Sequence, residues 1–112
     1  MAQSLNKAVG GSLLSSQARK WIQNYKDKNP GDVESIFYGS DLINAILSQS
    51  ECVGIRTHFA IDDAGQKQLI LVGAKENGNN IWPSSAEDTA PNGIMGDHGW
   101  PCPPVCNGND IE

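Results

Sequence analysis

Cys52-Val-Gly-Ile-Arg-Thr-His-Phe-Ala-Ile61, followed after a turn by Lys67-Gln-Leu-Ile-Leu-Val-Gly-Ala74, decides the fold of this 112-residue chain. In the first segment Val53, Ile55, Thr57, Phe59 and Ile61 alternate with Gly54, Arg56, His58 and Ala60. Successive side chains of a strand point to opposite faces, so this spacing predicts a strand with one apolar face. His58 then falls on the polar side beside Arg56, as a surface histidine. Asp62-Asp63-Ala64-Gly65 supplies turn chemistry, with Gly65 suited to a left-handed position. The return segment is apolar almost without interruption, the pattern of a central strand covered on both faces. Glu76-Asn-Gly-Asn-Asn80 makes a second turn, and Ile81-Trp82 is expected to add a brief third strand. The result is a meander whose uncovered edge is available for pairing between subunits.

Toward the N-terminus the period changes. Leu14, Ala18, Trp21, Ile22 and Tyr25 recur at three- and four-residue spacing, which predicts a helix with one apolar face. Ser12, Ser15 and Ser16 are available as caps, and Lys26 and Lys28 suit the C-terminal end of the dipole. Asn29-Pro30-Gly31 stops the helix. Trp21 and Tyr25 are expected to anchor the core. Val33–Tyr38 fits either a short strand or the approach to a second helix, which Ser40 caps and which runs from about Asp41 to Ser48. Leu42, Ile43, Ala45, Ile46 and Leu47 make that helix apolar over most of its circumference, so burial is expected, with Phe37 or Tyr38 packed back onto it.

These elements predict an α+β fold, with two N-terminal helices packed on a small antiparallel β-meander. Residues 1–11, ending in Gly10-Gly11, form a flexible arm, residues 12–82 the α+β domain, and residues 83–112 an irregular acidic extension rich in Cys and Pro. The extension holds five of the six prolines and shows no periodicity. Trp82 and Trp100 argue that it docks, on the body or on a partner.

Charge is unevenly spread. Residues 1–50 carry five basic and four acidic side chains, whereas residues 51–112 carry three and nine, and no Lys or Arg follows Lys75. Such a tail repels phosphate backbones and argues against nucleic-acid binding. No apolar run reaches the roughly 18 residues that span a bilayer. No secretory signal pattern stands at the N-terminus, so the expected location is cytoplasmic, with signal-independent export as the alternative.

Chemistry concentrates in His98-Gly-Trp-Pro-Cys102-Pro-Pro-Val-Cys106. His98, Cys102 and Cys106 stand at four-residue intervals, and Cys52 supplies a fourth ligand for a candidate Cys3His zinc site. The paired Cys-x2-Cys knuckles of strong zinc motifs are missing. A fully extended Cys102–Cys106 spans roughly 12 Å, too far for shared ligation unless Pro104 turns the chain. The same turn is required for a Cys102–Cys106 disulfide. A Cys/His pair oriented by Asp97 lacks a nucleophile turn or an oxyanion device, so no enzymatic activity is expected. Asp62-Asp63 and Glu87-Asp88 lack the ligand spacing of a calcium loop.

The succession Ala-Arg-Lys-Trp-Ile-Gln-Asn-Tyr, Asn-Pro-Gly, Phe-Tyr-Gly-Ser, Cys-Val-Gly-Ile-Arg, Lys-Gln-Leu-Ile-Leu-Val-Gly and Pro-Cys-Pro-Pro-Val-Cys resembles a group of small uncharacterised bacterial proteins, chiefly of Bacteroidota. The similarity runs over about residues 16 to 106. It implies a bacterial origin and a tail that belongs to the design, and it carries no assigned activity or functional residue. The expected function is that of a small non-enzymatic interaction or accessory protein, with a protein partner or self-association, and Trp82 and Trp100 as contact residues. Alternatives are a metal-binding or thiol-redox protein using the C-terminal cysteines, and a precursor or exported protein with a disulfide-closed end.

Overall fold

Strands β2 (Cys52–Ile61) and β3 (Lys67–Lys75) pair antiparallel from Ile61↔Lys67 to Cys52↔Lys75, with a bulge between Cys52 and Gly54. The computed structural model describes residues 4–82, 95–96 and 99–102. The other elements among the described residues are helix α1 (Ser15–Lys28), strand β1 (Ser35–Phe37), helix α2 (Ser40–Leu47) and strands β4 (Met95–Gly96) and β5 (Trp100–Cys102). The fold is α+β, and the described residues form two helices and two small antiparallel sheets, β2-β3-β4 and β1-β5. It divides into two compact units, one joining residues up to Val9 with Tyr38–Gly99, the other joining Gly10–Phe37 with residues from Trp100 onward.

In the first unit β3 is the central strand of a meander, as its continuous apolar run predicts. Leu71, Val72, Gly73 and Ala74 are all buried. The third strand is Met95–Gly96, paired with Val72 and Leu71, whereas Asn80 makes only an isolated bridge to Ala74 and Ile81 donates its N–H to the Gly73 carbonyl. The next positions along that edge of β3, Val72 and Leu71, are taken by Met95–Gly96, so Ile81-Trp82 does not run on as a strand. That turn closes through Lys75 N–H to the Asn79 carbonyl (2.9 Å), with Gly78 at φ +94°.

Helix α2 begins at Gly39, with Ser40 as its first residue and no side-chain cap. Only Ile46 is fully buried, and Leu47 stays exposed, so the helix is covered along one stripe only. That stripe lies on the sheet at Gly73. A side chain there would meet Cys52 Sγ at 2.9 Å, Gln49 Nε2 at 3.0 Å and Ile46 Cγ2 at 3.3 Å. Tyr38 anchors the approach to the helix by donating its hydroxyl to the Leu69 carbonyl.

The faces of β2 depart from the expected pattern. Gly73 lies opposite Ile55, so α2 covers the face of Ile55 as the alternation predicts, and the bulge between Cys52 and Gly54 brings Cys52 onto that face too. Yet Phe59 is 91% and Ile61 71% exposed on that same face. Lengths explain this. Eight helical residues reach about 12 Å, whereas ten strand residues reach about 33 Å, so the helix ends before the strand does. The other face is better covered than its polarity suggests. Arg56 donates to the Gly78 carbonyl at 3.0 Å and to Asn80 Oδ1, and Trp82 lies 6.0 Å from the His58 ring. His58 is therefore half-buried, and its Nε2 is buried with no hydrogen-bond partner among the described residues, in contrast to a surface histidine.

In the second unit α1 ends as its sequence predicts, with Asn29 N–H and Nδ2 both donating to the Tyr25 carbonyl. Leu14 holds the N-cap position without a side-chain cap bond, so none of the serines serves there. No residue of α1 is buried, and Trp21 is 53% exposed, contrary to its expected role as a core anchor. The sheet of this unit has two strands of three residues, too small to cover a helix of about 21 Å.

Gly73→Ala is expected to destabilise the protein by about 1–3 kcal/mol, the usual cost of forcing a methyl group into a packed contact, measured from urea unfolding midpoints. A stability equal to wild type would mean that α2 does not rest on Gly73.

At the β2–β3 turn Asp62 accepts from the Ala64 and Gln66 N–H groups and from Gln68 Nε2, each at 2.9 Å. The bond from the Gln66 backbone, and then that from Gln68, lower its pKa below the usual aspartate value. A depressed folded value stabilises the fold fully above the ordinary aspartate range and ceases to do so as pH falls through the lower folded value. Asp62→Asn is therefore expected to flatten the acid limb of a stability-versus-pH curve in that window and to leave its slope near neutrality unchanged.

Candidate functional site

The C-terminal residues that carried most chemical interest in the sequence enter the structure through β5. Trp100 precedes Pro101 and Cys102 precedes Pro103, and proline drives the residue before it into extended geometry. The segment is thus preset as a strand. Its register against β1 is Ser35↔Cys102, Ile36↔Pro101 and Phe37↔Trp100, continued by the Glu34 N–H donating to the Cys102 carbonyl at 2.7 Å. Among the described residues β5 pairs only with β1, which suits a proline that has no N–H to give a second neighbour.

Two features follow from this register. Phe37 and Trp100 stand opposite each other with ring centroids 6.4 Å apart and planes inclined by 46°. Their exposures are 65% and 61%, so the pair is held in place yet open to solvent. Within its unit Phe37 is held by this cross-strand partner. At the other end of the ribbon Cys102 is 2% exposed, with its sulfur 3.7 Å from Glu34 Oε1. Lys26 Nζ lies 3.4 Å from that same carboxylate oxygen, and the Tyr25 hydroxyl donates to the Val33 carbonyl at 3.1 Å. These two contacts tie the last turn of α1 to the start of β1.

Of the residues singled out in sequence, His98 and Cys106 lie outside the described residues. Among the described cysteines Cys52 is the free thiol and Cys102 is not. Cys52 is half-buried under α2, with its sulfur 3.2 Å from the Gly54 carbonyl, as befits a small packing residue. No group of three or more His, Cys, Asp or Glu side chains with metal-binding spacing occurs among the described residues. Trp82, 51% exposed, covers one side of the His58 ring.

Sequence reasoning passed over Phe37, Glu34 and Lys26. Only Phe37 had a signal, the ambiguous Val33–Tyr38 stretch, and that could not reveal a strand partner so far away in the chain. A further cleft of about 310 Å³ in the first unit is lined by Leu5, Lys7, Val9, Val53, Ile55 and Arg56, among others. No helix among the described residues is long and apolar enough to cross a membrane. Comparison with family models, with curated proteins and with solved structures finds no match to this chain.

Proposed function

We propose that this chain is a small non-enzymatic accessory module that binds a protein partner through the Phe37–Trp100 face, with a Cys102–Cys106 disulfide closing the end of the ribbon behind it. The observation that supports the reading is the pairing of two large, mostly exposed aromatic rings across a fixed strand register. Aromatic side chains already ordered before docking lose little entropy on binding, and they supply much of the contact energy of protein interfaces. The two rings gain only about 0.2–1 kcal/mol from each other, so most of their apolar surface is left for a partner to cover.

What supports the disulfide is that Cys102, buried at the end of the ribbon, is not a free thiol. With Cys52 the free thiol, Cys106 is the one remaining partner among three cysteines.

Alkylation of the denatured protein is expected to label one cysteine before reduction and all three after it. Three labels before reduction, together with stoichiometric zinc in freshly purified protein, would replace the disulfide with a metal site.

For the interaction face, a photoreactive phenylalanine analogue at position 37 is expected to give one discrete protein adduct in cells, lost when Trp100→Ser is added. The same probe at the exposed Lys20 position serves as control. Equal labelling from both positions would refute the assignment of this face.

A further inference from the structure

Strand β2 forms an edge of its sheet, with β3 on one side and no strand on the other among the described residues. Natural edge strands are protected by proline, lysine, short length or a bulge along the edge. From Gly54 to Ile61 β2 contains no proline or lysine, and its register with β3 is regular. The bulge lies at the other end, between Cys52 and Gly54. The same unprotected half carries Phe59 and Ile61, 91% and 71% exposed. Backbone groups that seek a strand and side chains that seek an apolar cover thus coincide over one stretch.

We infer that this edge pairs with β2 of a second copy of the chain, antiparallel about a twofold axis at Phe59, joining two three-stranded sheets into one of six strands. This register places Phe59 opposite the second copy's Phe59, and Thr57 opposite its Ile61. All of these side chains lie on one face of the joined sheet, so the exposed apolar residues cover one another.

An axis at Thr57 would instead set Ile61 against the second copy's Val53, inside the bulge. The Phe59 axis keeps the pairing clear of the bulge and of Leu5–Val9, which line the cleft beside Val53–Arg56. This inference concerns a different face from the aromatic pair of the second unit and stands independently of the function proposed above.

Sedimentation velocity of the full chain at about 100 µM, a concentration that populates even a small one-strand interface, is expected to show a dimer, and Phe59→Lys a monomer. Because Phe59 is so exposed, Phe59→Lys is expected to match the urea midpoint of wild type measured at about 1 µM, where little dimer forms and association adds no stability, which separates lost pairing from lost folding. It should also leave the photo-adduct at position 37 unchanged. A cysteine trap reads the register itself. Phe59→Cys should form a reducible dimer at least about tenfold faster than Ile61→Cys, since a disulfide needs Cα atoms within about 7 Å. In this register the two copies of position 61 are displaced by roughly 13 Å along the strands. A monomeric wild type overturns the inference, as does a dimer that survives Phe59→Lys or crosslinks equally at both positions.

Discussion

Ile46 can rest on the central strand only because Gly73 has no side chain. Its methyl group, the Cys52 sulfur and the Gln49 amide all crowd the space where a Cβ would stand. This contact brings the helix close enough to cover Leu71 and its neighbours, and it leaves Cys52 as a packed hydrophobe. The sheet is then asymmetric in cover. Near Gly73 both faces are closed, and toward Ile61 one face stands bare, because a two-turn helix is shorter than the strand beneath it. The exposed Phe59 and Ile61 are the direct outcome of that mismatch.

Periodicity made the body of the fold legible. The alternation of β2, the continuous run of β3, the turn at Asp62–Gly65 and the stop at Asn29–Gly31 all appear where their residues place them. Burial was less legible, and for one reason. A strand pattern says which residues share a face, not which face receives a helix or a loop, nor how far along that cover extends. His58 and Arg56 read as solvent-facing because they are polar, yet the turn at Glu76–Asn80 returns Asn80 and Trp82 over them. Trp21 read as core because it is large, yet its own unit offers too little sheet to bury it.

The candidate site was legible in its chemistry and hidden in its geometry. Cys102, Trp100 and the prolines mark the C-terminal segment in any reading of the chain. Nothing local indicates that they meet Glu34–Phe37, because strand pairing between distant segments leaves no periodic trace. The prolines had a double meaning. They removed the signs of regular structure from the tail, and they also imposed the extended backbone that lets Trp100–Cys102 pair with β1.

The ribbon sets an order of events in the making of the protein. Phe37 and Trp100 are 63 positions apart, so β1 leaves the ribosome long before its partner exists. The β2–β3 hairpin, whose contacts are local, can form in the interval, while α1 waits without a sheet. Loop-closure entropy delays such distant pairings further. The second unit is therefore the last to close, and a chain cut short before Trp100 would keep Phe37, already open to solvent in the finished chain, without the cross-strand ring that orders it.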